Sequence, residues 1–147
     1  MPASRVESFL TAREEQEIVD AILEAERNTS GEIRVHLERT ASLDHYQRAQ
    51  QVFHILKMNN TKEDNGVLIY VAIEDHKFAI YGDKGINAVV AEDFWETTKD
   101  LIQSHFHRGE FKEGIKQGIK KAGLELKAHF PWRSDDTNEL RDELSKG

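Results

Sequence analysis

The stretch Asp64-Asn65-Gly66-Val67-Leu68-Ile69-Tyr70-Val71-Ala72-Ile73, with Glu74-Asp75-His76 and Lys77-Phe78-Ala79-Ile80-Tyr81-Gly82-Asp83-Lys84-Gly85 after it, decides the fold. The apolar run has strand length and no alternation, the pattern of a strand covered on both faces. Glu74-Asp75-His76 is hairpin-turn chemistry, so 77–82 returns as an antiparallel strand. Both strands carry polar residues at one end, Asp64 and Asn65 on the first and Asp83 on the second.

Upstream, Thr11 with Glu14 three residues on forms a capping box for a helix over 11–27, with Ile18, Val19, Ile22, Leu23 and Ala25 as its stripe. Asn28-Thr29-Ser30-Gly31 ends it with turn residues. In 32–39, Ile33, Val35 and Leu37 alternate with Arg34, His36 and Glu38, which predicts a strand whose second face is only partly covered. Ser42 is placed to cap a second helix running to Met58, with Tyr46, Ala49, Val52, Phe53 and Leu56 inside.

Downstream, Glu92 and Asp93 sit at the start of a third helix, where negative charge suits the helix dipole. Gly109 ends that helix, and a fourth begins near Phe111 and buries Ile115, Ile119, Ala122 and Leu126. Gly114 and Gly118 on it predict a close approach to the sheet. Pro131 closes the helix. The chain divides into an extension over 1–10, a domain over 11–130 and a charged tail over 131–147, with Trp132 as the tail's expected anchor.

The order helix, strand, helix, strand, strand, helix, helix is an α/β protein. Two strands joined by a helix are parallel with a right-handed crossover. Helices on both faces of the small mixed sheet make a three-layer α/β/α sandwich, Rossmann-like, with parallel first strands and an antiparallel hairpin strand.

Composition narrows the function. Among 147 residues the net charge is −7, which disfavours nucleic acid as a partner because phosphates require a positive surface. There is no cysteine, which excludes disulfides and thiolate metal sites. The longest apolar run is far short of the ~20 residues of a membrane span, and no secretory apolar core opens the chain. A cytoplasmic monomer is the expectation. Hydrolase elbows, phosphate loops and dinucleotide fingerprints are missing. Gly82-Asp83-Lys84-Gly85 is not read as a phosphate loop, since it follows an antiparallel strand and no helix is expected at its second glycine. His105 falls on an apolar stripe and reads as a satisfied core histidine, while nothing in sequence marks His36 or His54 as a base.

The acids gather at one end of the sheet. Glu32, Asp64 and Asn65 start the parallel strands, and Asp83 finishes the antiparallel one at the same rim. With the turn centred on Asp75, Asp83 faces Val67, leaving Asp64 about 10 Å further along at ~3.4 Å per residue. A curled loop is needed to bring them together. Asp64, Asn65, Asp83, Glu92 and Asp93 form the candidate ligand set for a divalent ion, Ca²⁺ or Mg²⁺, which favours hard oxygen donors. The same residues are default turn and helix-start chemistry, so spacing alone leaves both readings open.

Ser30-Gly31-Glu32-Ile33-Arg34-Val35, Asp64-Asn65-Gly66-Val67-Leu68-Ile69, the segment 77–85 and Phe111-x-x-Gly114-Ile115 together resemble the TPM domain over roughly 11–130. That family takes its name from a thylakoid lumen protein, a photosystem II repair protein and a nematode receptor modulator. The resemblance implies a Rossmann-like fold with a divalent-ion site, often calcium, at an acidic rim. It also implies two functional classes: weak metal-dependent acid phosphatase, as in the plant members, and a binding or regulatory domain acting on a protein partner. This chain differs from longer relatives in the expected lack of a signal peptide and membrane anchor. It also has Tyr81-Gly82-Asp83-Lys84-Gly85 where many relatives carry a glycine-aromatic-glycine turn.

Overall fold

A computed structural model describes residues 8–41, 43–132 and 144–146, the last three through their main chain. Its helices are α1 (Ala12–Glu26), α2 (His45–Ile55), α3 (Lys84–Asn87), α4 (Phe94–His107) and α5 (Phe111–His129), and its strands are β1 (Glu32–Glu38), β2 (Gly66–Ala72), β3 (Lys77–Gly82) and β4 (Leu144–Lys146). The sheet order is β3-β2-β1-β4. β1 pairs parallel with β2, Glu32 opposite Gly66, and β3 returns antiparallel, Gly82 opposite Val67. No helix among the described residues is long and apolar enough to cross a membrane.

Local chemistry sets the boundaries. Thr11 accepts from the Glu14 N–H while Glu14 accepts from the Thr11 N–H, the reciprocal capping box that the sequence predicts. The α2 cap is Asp44, whose carboxylate accepts from Tyr46 and Gln47. Ser42, the expected cap, lies outside the described residues. α2 stops at Ile55 rather than Met58, because Lys57 turns left-handed (φ 59°) and starts a separate 3₁₀ turn, Met58–Asn60. Gly109, at φ 75°, breaks the chain between α4 and α5 as expected.

Strand parity sorts the core into two layers. Ile33, Val35, Leu37, Val67, Ile69, Val71 and Ile80 face α1, α4 and α5, where Ile18, Ile22, Ile102, Ile115, Ile119 and Leu126 meet them. Leu68, Tyr70, Ala72 and Ala79 face α2 with Ala49, Val52, Phe53 and Met58. The three-layer sandwich therefore has three long helices on one side and one on the other. All seven residues of β1 are buried, so its second face is covered fully, not partly. On that face Glu38 pairs with Arg48 of α2 and with the Tyr70 hydroxyl of β2.

The α5 glycines bring helices together more than helix and sheet. A Cβ at Gly118 would lie 2.7 Å from Ile102 Cδ1 of α4 and 3.2 Å from Ile69 Cδ1, and one at Gly114 would meet Phe106. α5 ends at His129, before Pro131. The Trp132 N–H donates to the Asn28 carbonyl, but the ring is 45% exposed, so the anchor is main chain rather than indole. Beyond it, the tail supplies β4, a fourth strand pairing parallel with β1 at Val35–Leu37, which the composition of the tail did not suggest.

Candidate functional site

The acidic rim forms where the loop before β2 meets the turn after β3. Asp64 takes a left-handed conformation (φ 53°), which Asp tolerates better than most residues. This curl aims its carbonyl at the start of α3, where it accepts from the N–H groups of Gly85 (2.8 Å) and Ile86 (3.2 Å). Asp83 caps the same helix, its Oδ1 accepting from the Lys84 N–H at 2.8 Å. A helical turn thus begins at Lys84, where the sequence suggested none. Its cause is the pair of acceptors that satisfies its first N–H groups.

Gly85 is obligatory for this arrangement. A Cβ there would collide with the Glu63 carbonyl oxygen and stand 2.6 Å from that of Asp64. The register also shifts by one residue from expectation: the Asp83 N–H donates to the Gly66 carbonyl at 3.0 Å, so Asp83 faces Gly66 rather than Val67.

Asn65 ties the rim to the start of β1. It is 1% exposed, its side-chain amide donates to Ser30 Oγ at 3.1 Å, and its carbonyl accepts from Glu32 N–H. Two oxygens of the rim, Asn65 Oδ1 and Asp83 Oδ2, are buried with no hydrogen-bond partner among the described residues. The Asp64 carboxylate, 36% exposed, has a 3.7 Å contact with Lys84 Nζ. Glu92 and Asp93 are both exposed, Asp93 at the start of α4 with no side-chain capping bond. Asp64 and Asp83 thus meet through the start of α3, with Asn65 next to Asp64 in the chain, whereas among the described residues no hydrogen bond or ion pair ties Glu92 or Asp93 to this segment. Among the described residues, no three His, Asp or Glu side chains gather closely enough to hold a metal ion.

A second polar cluster lies under α2, at the other end of β1. Glu38 accepts from Arg48 Nη2 (2.7 Å), Arg48 Nε (3.0 Å) and the Tyr70 hydroxyl. His36 stacks on Tyr70 with ring centroids 6.0 Å apart and places Nε2 3.8 Å from Glu38 Oε1. Burial alone would raise the Glu38 carboxyl; the Arg48 and Tyr70 hydrogen bonds outweigh it and hold the group below its ordinary value. Burial lowers His36, and Arg48 and Arg34 add to this against the opposing pull of Glu38. Burial, then Glu38, holds the Tyr70 phenol well above its usual value.

Sequence reading found no acid for His36. The available signal was parity: His36 is opposite Tyr70 in the parallel register, and Glu38 is two residues on along the same face. His105, read as a satisfied core histidine, is half-buried, with Nδ1 2.8 Å from Glu110 Oε1.

Comparisons with known proteins address the same segments. The model of the TPM domain matches residues 4–124. No curated protein matches. The NMR structure of BA42 from the psychrophilic bacterium Bizionia argentinensis is 61% identical with a TM-score of 0.88, covering 99% of this chain and 100% of that one. Two more distant structures share the fold. The N-terminal domain of cg2496 from Corynebacterium glutamicum has 11% identity and a TM-score of 0.66, over 90% of this chain and 84% of that one. An N-terminal domain from P. gingivalis has 17% identity and a TM-score of 0.69, over 86% and 83%. With its match spanning most of the sequence and every element of the rim, this chain belongs to the TPM domain family.

Proposed function

We infer that this chain is a divalent-ion-binding domain with a binding or regulatory role, and that the ion sits at the rim built by Asp64, Asn65 and Asp83. The observation that carries this reading is the pair of buried oxygens, Asn65 Oδ1 and Asp83 Oδ2, that have no hydrogen-bond partner among the described residues. A buried unpartnered acceptor costs about 1–3 kcal/mol, and a cation relieves that cost. The donor set is one of hard oxygens, the chemistry of Ca²⁺ and Mg²⁺, and both ions complete their shells with amide oxygens and water. Two carboxylates and an amide make a weak site, saturating near millimolar ion. Glu92 and Asp93 are the remaining candidate ligands, and reach the rim only if 87–93 moves.

Calcium titration of the ¹⁵N-labelled chain tests this. Saturable shifts at Asp64, Asn65, Asp83 and Lys84 are expected, with magnesium competing. Asp83→Asn, which keeps a capping acceptor for α3, should remove the response while leaving the rest of the spectrum unchanged. A response absent at 10 mM ion (on the order of the weakest extracellular calcium sites), or unaltered in Asp83→Asn, would sink the reading.

The hydrolytic alternative uses the same rim. It is favoured by one observation, the solvent-facing Asp64 carboxylate, which a 3.7 Å lysine contact leaves open to take a proton from water. A bound ion would supply Lewis acidity toward a phosphoryl oxygen. Turnover of an aryl phosphate that disappears in Asp64→Asn supports it; turnover that survives the substitution refutes it.

A further inference from the structure

The two edges of the sheet differ. β4 offers three residues at one edge, whereas β3 offers six in unbroken register at the other, with no proline and no bulge. Asp83 donates to Gly66, so alternation makes 68/81, 70/79 and 72/77 the hydrogen-bonded pairs of the β2–β3 ladder. The main-chain groups of Phe78, Ile80 and Gly82 therefore point away from β2. Among the described residues, only the Gly82 carbonyl of these is used, accepting from the Asn87 side chain at 2.8 Å. Proteins normally blunt such an edge.

Here the edge lies at the bottom of a groove of about 360 Å³. One wall is His45 and Tyr46 at the start of α2; the other is Val90, Glu92, Trp95 and Glu96, before and within α4. Trp95 is fixed in place: its indole N–H donates to Asn87 Oδ1 at 2.7 Å, and a Cβ on Gly82 would be 2.6 Å from Trp95 Cζ2. Tyr46 is 48% exposed and stands 5.7 Å from Tyr81, centroid to centroid. Rigid aromatic walls of this kind are the usual energetic anchors of an interface.

We propose that the β3 edge is a docking site for an extended segment of a partner protein, which adds as a fifth strand and carries basic residues toward α4. Main-chain pairing to Phe78, Ile80 and Gly82 supplies affinity and alternate side chains meet the aromatic walls, the β-augmentation mode. From Phe78 to Gly82 the edge runs about 14 Å at ~3.4 Å per residue, room for five residues of strand. The charge of the occupant follows from the wall. Glu96 already neutralises Lys99, the one lysine lining the groove, at 3.8 Å. Glu92, on the same wall, has no ion-pair partner among the described residues, in a chain of net charge −7. A second copy is disfavoured by the same features, since its own walls project past its edge and its acids repel. The site gives the partner-binding role inferred above a surface, and rests on that reading only there. Calcium reads out at Asp64 and Asp83, peptide at Phe78 and Ile80, so the two fail separately.

The test uses the full chain, ¹⁵N-labelled, titrated with acetyl-Lys-Val-Lys-Val-Thr-Val-Lys-amide. Saturable shifts are expected at the Phe78, Ile80 and Gly82 amides and the Trp95 indole. The counterpart with Glu for every Lys should bind about tenfold more weakly, as should the peptide N-methylated on alternate residues. Glu96→Lys, at an exposed position, should weaken the lysine peptide several-fold. No saturable shift at millimolar peptide, shifts mapping elsewhere, or indifference to N-methylation would overturn the proposal. A concentration-dependent dimer with the same shifts and no peptide would replace the partner with a second copy.

Discussion

The two faces of the sheet are made by the same strands, yet they are held in different ways. Toward α1, α4 and α5 the core is mainly aliphatic and aromatic, with buried Thr98 on α4 and the Glu26 carboxylate of α1 accepting from the Ile33 N–H at 2.7 Å, so the layers join chiefly by area. Toward α2 the core is smaller, and Glu38, Arg48, Tyr70 and His36 form a buried polar group within it. An apolar face tolerates small shifts of its helices because dispersion is non-directional. The polar face does not, because each bond to Glu38 fixes a direction. The difference shows that α2 is placed by geometry and the other helices by burial.

The strongest break of this comparison is Glu38→Ala. It removes the acceptor of three hydrogen bonds and leaves the Tyr70 hydroxyl and part of the Arg48 guanidinium unpartnered under α2. Removing one partner of a buried pair costs about 3–5 kcal/mol. Arg48 is 23% exposed and regains some solvent, so about 3 kcal/mol is expected from the urea midpoint at unchanged slope. A loss below 1 kcal/mol would mean that the cluster orients nothing.

Adjacent residues then weigh the faces against each other with deletions of a single group. Ile69→Val, toward the three helices, removes one methylene and should cost about 1 kcal/mol. Tyr70→Phe, one residue on and facing α2, removes one hydroxyl but leaves Glu38 paired with Arg48, and should also cost about 1 kcal/mol. The two separate in a double-mutant cycle. Tyr70→Phe should couple to Glu38→Ala, and Ile69→Val should add to it within about 0.5 kcal/mol. Coupling of Ile69 to Glu38 would show that the faces are not independent.

How much of this was legible in the sequence follows from what each signal measures. Hydrophobic parity identified β2 and its two-sided burial, since period-2 and unbroken runs depend only on which faces are covered. The cap of α1 was legible because its partners lie three residues apart. Parity misread β1, because Arg34, His36 and Glu38 look the same whether water or buried partners satisfy them. Arg48 is ten residues from Glu38, and Tyr70 is thirty-two. At the rim, strand direction and residue type together placed Asp64, Asn65 and Asp83 at one end of the sheet, where the register has them. The helical turn at Lys84 was missed because its acceptors are Asp83 and, from a distant loop, the Asp64 carbonyl. β4 escaped because a three-residue strand in a charged tail has no period to detect.

The smallest effect, and the sharpest, is in pH. His36 and Glu38 both sit below their ordinary values of 6.5 and 4.5 in the folded protein. The unfolded chain therefore binds more protons than the folded one, and stability rises with pH. The contribution of His36 is complete above about pH 6.5 and is lost as pH falls toward its lowered folded value. Glu38 contributes fully above its ordinary value and is lost below that, in more acid solution. One whole proton gives a slope of about 1.4 kcal/mol per pH unit, and His36 should supply a fraction of it between pH 6.5 and 5. The readout is a difference between the variants' urea midpoints across pH. His36→Phe, which preserves a ring against Tyr70, should flatten the stability curve there. Ile69→Val should lower the curve evenly without changing its shape, because it alters no titratable group. If both variants shift the curve in parallel, His36 binds protons equally in the folded and unfolded chains, and the polar face would be distinguished by hydrogen bonds but not by protons.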